Sequence, residues 1–345
     1  MTFSRKILTW YHINKRDLPW RSTRDPYKIW LSEIMLQQTR VAQGMPYYYR
    51  FIEAFPKVED LANASEEQVL KLWQGLGYYS RARNLHATAK MVANDYKGQF
   101  PDTFKMLKSL KGVGDYTASA IASICFNAPE PVVDGNVYRV LSRYFDVELP
   151  INSTEGIKYF KELAREVMDA ENIRDYNQGI MEFGAMQCVP KNPDCESCPL
   201  NESCLALKKD KVAQLPVKLK KTKIRNRYFN YIVFLDGNQN TILEQRKGKG
   251  IWQHLYQFPL VESEKKLQLE ELEEILIEKD ELPKTESISL YNKDAIVHKL
   301  SHQHLYTQFW MAKTSQQIEN AILWKQIEEY PVPVLVADFI KTLKI

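Results

Sequence analysis

The chain has 345 residues, of which 44% are hydrophobic and 26% charged, with a formal net charge of +4. That length holds two domains of ordinary size, the composition excludes a disordered chain, and the small net charge does not announce a nucleic-acid binder, so any such reading must rest on where the charges lie. No run of about 18 apolar residues is present to span a membrane, the first residues show no secretory pattern, and a cytoplasmic protein is expected.

Residues 1–204 read as almost entirely helical. Asp25 before Pro26 is a start signal, because the carboxylate caps first-turn N–H groups and proline supplies a fixed φ. Tyr27, Trp30, Leu31, Ile34 and Met35 follow at helical spacing. Ser65 and Gln68 form a capping box ahead of Val69, Leu72 and Trp73. Ser80 can cap a helix reaching about Ala93. Two short helices, over 104–110 and 115–126, flank Lys111-Gly112-Val113-Gly114, and Ala118, Ala120 and Ala122 allow the second to pack closely. Gly112 and Gly114 let the backbone turn tightly with its N–H groups uncovered. Such groups at a helix start make an anion site, for which a DNA phosphate is the obvious ligand and an ordinary interhelical turn the alternative. Helices over 136–145, 154–169 and 176–188 complete an all-α region.

From Leu205 the composition shifts. Lys208, Lys209, Lys211, Lys218, Lys220, Lys221, Lys223, Arg225 and Arg227 stand against one acid, Asp210. This basic linker over 205–227 is either a solvated tether or a strap tracking phosphates. Beyond it, 228–235 reads as a strand, 236–238 as a turn and 242–246 as the strand's partner. A helix near 265–279, strands at 296–300 and 305–312 and a helix near 334–343 make 228–345 an α+β domain.

Cys188, Cys195, Cys198 and Cys204 follow the spacing C-x6-C-x2-C-x5-C. Four cysteines this close in a chain expected to be cytoplasmic argue for a metal centre rather than disulfides, and a tetrathiolate set suits zinc or an iron–sulfur cluster. Cys125, in the apolar run 121–126, reads as core.

Taken together, LPWR at 18–21, WLSEIMLQQTRV at 30–41, GLGYYSRARNL at 75–85, LKGVGDYTA at 110–118, VVDGNVYRVLSR at 132–143 and the cysteine spacing resemble the endonuclease III superfamily of DNA glycosylases, and within it the MutY-type adenine DNA glycosylases. The resemblance implies a helix–hairpin–helix domain over 1–204, with the motif at 105–126 and a cluster loop at 188–204, and a [4Fe–4S] cofactor held by the four cysteines. It implies a Nudix-like lesion-recognition domain over 228–345, which lacks the acidic signature of Nudix hydrolases and is therefore expected to bind rather than hydrolyse. The implied partner is double-stranded DNA carrying adenine opposite 8-oxoguanine or guanine, engaged by a monomer away from any membrane.

Carried onto this chain, the resemblance makes Glu33 the general acid and base: a carboxyl in apolar surroundings holds a proton near neutral pH and can give it to adenine N7. Asp134, which by position alone is a helix N-cap, becomes the carboxylate that stabilises the sugar oxocarbenium, kept ionised by N–H bonds. Asn136 and Tyr116 orient acid and water. Tyr116 stands where lyase relatives carry a Schiff-base lysine, so a monofunctional glycosylase is expected. Gln38 and Tyr78 match residues that enter the base stack, with Gln37 and Thr39 alongside, while Arg21, Trp20 and Leu36 line the pocket or its entrance. Ser301 and His302, in the stretch 298–302, match the loop that reads 8-oxoguanine, although Leu300 replaces the aromatic most relatives show there. A thymine or oxidised-pyrimidine glycosylase, and a non-catalytic DNA-binding metal module, are the competing readings.

Overall fold

A computed structural model of the chain describes residues 2–219, 224–279 and 282–343. Among the described residues, twelve α-helices come first: α1 (Phe3–Asn14), α2 (Pro26–Leu36), α3 (Val41–Ala54), α4 (Val58–Asn63), α5 (Glu66–Trp73), α6 (Ser80–Asp95), α7 (Phe104–Ser109), α8 (Asp115–Phe126), α9 (Gly135–Phe145), α10 (Thr154–Val167), α11 (Ile173–Met186) and α12 (Leu205–Lys208). The chain divides into two compact units, one made of Met1–Asn63 with Asn84–Lys220 and the other of Ala64–Arg83 with Lys221–Ile345. Among the described residues, no helix is long and apolar enough to cross a membrane.

In the first unit the start signals act as their chemistry dictates. Asp25 accepts from the Tyr27 amide at 2.9 Å and Pro26 opens α2. Ile29, Trp30, Leu31, Ile34 and Met35 are all buried, so α2 is a core helix covered on nearly every side. Helix α11 packs against α1, α8 and α9, and α8 packs against α2 and α7. Gly184 allows the α9–α11 approach, because a Cβ there would lie 2.7 Å from that of Asn136.

The linker is not a solvated tether over its described part. Lys209 and Lys211 are both paired with Asp146, and Lys211 also with Glu148. The Ile151 amide donates to Val217 O at 3.0 Å, and Asn152 pairs with both backbone groups of Leu219, at 3.2 and 2.8 Å. Lys220, Lys221 and Lys223 lie outside the described residues.

The second unit contains α5, whose capping box between Ser65 and Gln68 forms as expected. Its strands are β1 (Arg225–Leu235), β2 (Asn240–Thr241), β3 (Glu244–Gln245), β4 (Tyr256–Gln257), β5 (Leu260–Ser263), β6 (Ser287–Leu290), β7 (Ile296–Lys299), β8 (Gln303–Lys313) and β9 (Ile322–Leu323). Helices α13 (Leu269–Ile277) and α14 (Val334–Thr342) complete it. The main sheet runs β5-β1-β8-β6, with β7 following β6 along the same edge of β8. Strands β1 and β8 are parallel, Arg225 opposite Gln303 through Leu235 opposite Lys313. The expected pairing of 228–235 with 242–246 does not form. β5 takes one edge of β1 and β8 the other, so the returning chain contributes only Glu244 and Gln245, paired with β4.

Candidate active site

A cleft of about 640 Å3 opens in the first unit, lined among others by Glu33, Tyr116, Asp134, Asn136, Arg139 and Glu182. Glu33 enters from α2 and is only 8% exposed. Burial pushes its carboxyl up to about 7, with the Asp134 charge adding to the effect, while the Tyr116 hydroxyl and the Arg21 guanidinium pull the other way. At neutral pH it is therefore poised between acid and base.

Asp134 is the N-cap of α9. It accepts from the Asn136 and Val137 amides at 2.9 and 2.8 Å and from Asn136 Nδ2 at 2.8 Å. The N–H bonds expected from sequence are therefore present. Burial nevertheless outweighs them and the nearby Arg139, and the Asp134 carboxyl is raised above the usual aspartate value. Tyr116, in the first turn of α8, donates to Met181 Sδ at 3.2 Å. Burial and the Glu33 and Asp134 charges hold its hydroxyl well above the ordinary tyrosine value, so it keeps its proton.

Asn136 is fixed from behind. Arg139 donates to Asn136 Oδ1 at 2.9 Å, to Cys188 O at 2.7 Å and to the Gly184 carbonyl. Across the cleft Glu182 binds two arginines: Arg16 through Nε and Nη2 at 2.8 and 2.7 Å, and Arg21 through its two terminal nitrogens at 3.0 and 2.7 Å. Burial alone would raise Glu182, but these bonds win and hold it at about 2. Arg21 thus lines the cleft with its guanidinium already paired. Trp20, Leu36 and Thr39 line it too.

Glu182, Arg139 and Met181 were not singled out from the sequence. The available signal was a polar residue at a core position: Gln178 and Glu182 are both buried and stand four apart on α11, among Tyr176, Ile180 and Phe183.

At the end of α2 Gln38 adopts a left-handed backbone, φ 57°. Gln37 is tied to Thr117 at 3.2 Å and Thr39 to the Gln37 carbonyl at 3.4 Å. A non-glycine residue in that region marks strain to be explained. In the hairpin, Gly112 has φ 76° and a Cβ there would meet Asn84 at 2.7 Å, whereas Gly114, the N-cap of α8, faces open space. Lys108 is paired with Asp115 at 2.9 Å and Lys161 meets the same carboxylate at 3.2 Å.

The four cysteines Cys188, Cys195, Cys198 and Cys204 line one small cavity of about 30 Å3, and none is in a disulfide. Four sulfurs around one cavity form a tetrathiolate set, which suits an iron–sulfur cluster. Arg143 donates to Cys188 Sγ at 3.4 Å, to Val189 O at 2.8 Å and to Leu215 O at 3.1 Å, so the loop's positive partner is in place.

In the second unit Tyr78, 50% exposed and with φ 47°, shares a 2.8 Å hydrogen bond with Ser301. Ser301 and His302 lie exposed at the turn between β7 and β8, closed by the Leu300 amide on Gln303 O at 2.8 Å. Leu300 is half-buried.

Comparison with known proteins agrees with this architecture. Residues 31–166 match the family model of HhH-GPD superfamily base excision DNA repair proteins. Residues 188–204 match the iron–sulfur binding domain of endonuclease III, and residues 230–342 a NUDIX domain. The chain is 36% identical over 346 residues to an adenine DNA glycosylase of Buchnera aphidicola subsp. Baizongia pistaciae, covering 97% of this chain and 95% of that protein. It is 43% identical over 222 residues to the adenine DNA glycosylase of Homo sapiens, covering 62% of this chain and 41% of that one. Among solved structures, a thermostable thymine-DNA glycosylase superposes with a TM-score of 0.56 at 35% identity, covering 60% of this chain and 95% of its own. Endonuclease III in a non-covalent DNA complex, at 22% identity and a TM-score of 0.52, covers 61% of this chain and 99% of its own and shares the fold. An enzyme with a helical glycosylase domain, a [4Fe–4S] centre and a Nudix-like domain, the chain belongs to the MutY-type adenine DNA glycosylases.

Proposed function

We propose that the protein removes adenine mispaired with 8-oxoguanine or guanine in duplex DNA, hydrolysing the N-glycosidic bond and leaving an abasic site. The observation that carries this reading is the pair of carboxyls in one cleft, Glu33 raised to about 7 and Asp134 at the N-cap of α9, with Tyr116 lining the same cleft and no lysine in its place.

Glycosidic cleavage needs a leaving group that accepts a proton and an anion facing the sugar as positive charge develops. Glu33 supplies the first: its protonated form gives the proton to adenine N7 and its ionised form then takes one from the attacking water. Asp134 supplies the second at the anomeric carbon. Asn136, held by Arg139 at 2.9 Å, keeps the Asp134 carboxylate oriented. Arg21 and Leu36 bound the base pocket. Tyr116 has no amine with which to form a Schiff base, so the strand stays intact. The uncovered N–H groups at Gly112 and Gly114 take a backbone phosphate. Gln38, with Thr39 beside it, and Tyr78 enter the stack as the target base leaves it, and Ser301 and His302 read the opposite base. A [4Fe–4S] cluster on Cys188, Cys195, Cys198 and Cys204 supplies a cross-link for the 188–204 loop, and the loop's backbone anchors Arg139 through Cys188 O.

Thymine removal is the second reading, favoured by the 35% identity to the thymine-DNA glycosylase. Duplexes with adenine opposite 8-oxoguanine, adenine opposite guanine and thymine opposite guanine, each split with and without hot alkali, decide between them. Adenine release with breaks only after alkali is expected. Breaks without alkali contradict the role of Tyr116, and thymine release with adenine untouched overturns the substrate.

A further inference from the structure

Tyr116 has one hydroxyl proton, and its oxygen lies 3.2 Å from Met181 Sδ, to which it can donate. A thioether sulfur accepts weakly and has no proton to return. The same hydroxyl lies against the Glu33 carboxyl. One O–H donates once, so two arrangements are open. With Glu33 protonated, its own O–H fills the Glu33–Tyr116 contact and Tyr116 passes its proton on to Met181. With Glu33 ionised, Tyr116 must turn to the carboxylate and abandon the sulfur. Met181 Sδ and the Glu33 carboxylate therefore compete for one proton.

We infer that Met181 is a positioning residue for the general acid: by accepting the Tyr116 proton it favours the protonated state of Glu33. The inference rests on the reading of Glu33 as that acid. Met181 reaches the cleft from α11, one residue before Glu182, and has no other assigned part in the reaction.

The groups facing Glu33 from the packed elements are Arg21, Asp134 and, on α8, Tyr116 and Cys125. Burial pushes the Cys125 thiol up to about 12, so it stays neutral. Arg40, Arg139 and the Arg16–Glu182 pair line the same cleft, and Glu182, at about 2, stays ionised. All of these remain when Met181 is replaced, so a shift on replacement reports the sulfur.

The test compares Met181→Leu, similar in volume without an acceptor, and Met181→Gln, which restores one. Single-turnover adenine release is followed from about pH 5 to 9, alongside duplex affinity. Isotope-edited infrared titration of Glu33 is run on the free protein. In Met181→Leu the alkaline limb and the Glu33 titration both move down by about half a pH unit, the size expected of one weak hydrogen bond. In Met181→Gln both return to the wild-type position or above it, with duplex affinity unchanged. A rate lowered equally at every pH, with the Glu33 titration unmoved, overturns the inference and leaves Met181 as packing. Loss of the assigned function is distinguishable: if Glu33→Gln releases adenine as well as the wild type, the acid role fails, while the infrared shift still decides what Met181 does.

Discussion

Burying Glu33 ties stability to pH. Its carboxyl titrates at about 7 in the folded chain against an ordinary 4.5, so between those values the folded state binds a proton that the unfolded chain has lost. Stability contributed by this group is therefore present below the ordinary value and lost as pH rises through about 7, by up to about 3 kcal/mol. Glu33→Gln removes that cost. Its melting temperature should exceed the wild-type value at pH 8 by a few degrees and match it at pH 5, while base release falls by several orders of magnitude and duplex binding persists. Melting curves that shift equally at both pH values would contradict a buried titrating carboxyl. At the recognition loop, Ser301→Ala should reduce the preference for 8-oxoguanine over guanine about five- to tenfold, the loss of one hydrogen bond to the base. Competition between the two duplexes measures it. Glu33 and Asp134 were legible because each stands in a distinctive local string. Glu182, Arg139 and Met181 were not, because their meaning arises only when α9 and α11 bring them to the cleft. The raised Asp134 was missed for a related reason: its N–H bonds follow from the local sequence, whereas the burial that outweighs them comes from the packed fold.

The hairpin between α7 and α8 separates two roles that the sequence presents as one Gly-x-Gly. Gly112 serves the fold, with φ 76° and Asn84 filling the space a side chain would take. Gly114 has φ −86° and open space around it, so alanine fits its backbone and instead covers the exposed amides. Gly112→Ala should cost about 1 kcal/mol or more of stability. Gly114→Ala should leave the melting temperature unchanged and weaken duplex binding, with a smaller slope of log affinity against log salt. Equal loss of stability in both variants would refute this division. The helices around the motif were legible because their caps are written locally: Asp25, Ser65 and Asp134 all cap where expected. Strand pairing was not. The string 242–246 looks like a returning hairpin strand, but β1 has both edges taken by β5 and β8, which arrive later in the chain.

Across the whole molecule, charge is placed more than it is accumulated. The net charge is +4, and two of the linker cations are spent on Asp146. Replacing Lys209 and Lys211 by alanine should therefore lower stability while leaving the salt dependence of duplex binding close to wild type. A slope reduced by about two would instead return these lysines to the phosphate strap. The cysteine spacing was legible as a metal centre, while the choice of a cluster over zinc came from the resemblance carried by the motifs together, not from the spacing alone. The α+β character of 228–345 was legible, but the membership of 64–83 in the second unit was not. Glu66 meets His254 at 2.5 Å, Lys71 donates to Tyr330 O at 3.1 Å and Gln74 accepts from the Val332 amide at 3.2 Å, links that span well over a hundred residues of chain. Ala64–Arg83 leaves the synthesising ribosome long before Lys221–Ile345, so α5 must wait for partners that are made last. No single cut divides the chain into its two units. A shortened product ending near residue 220 would keep α5 while losing every one of these bonds, and would present Glu66, Lys71 and Gln74 to solvent.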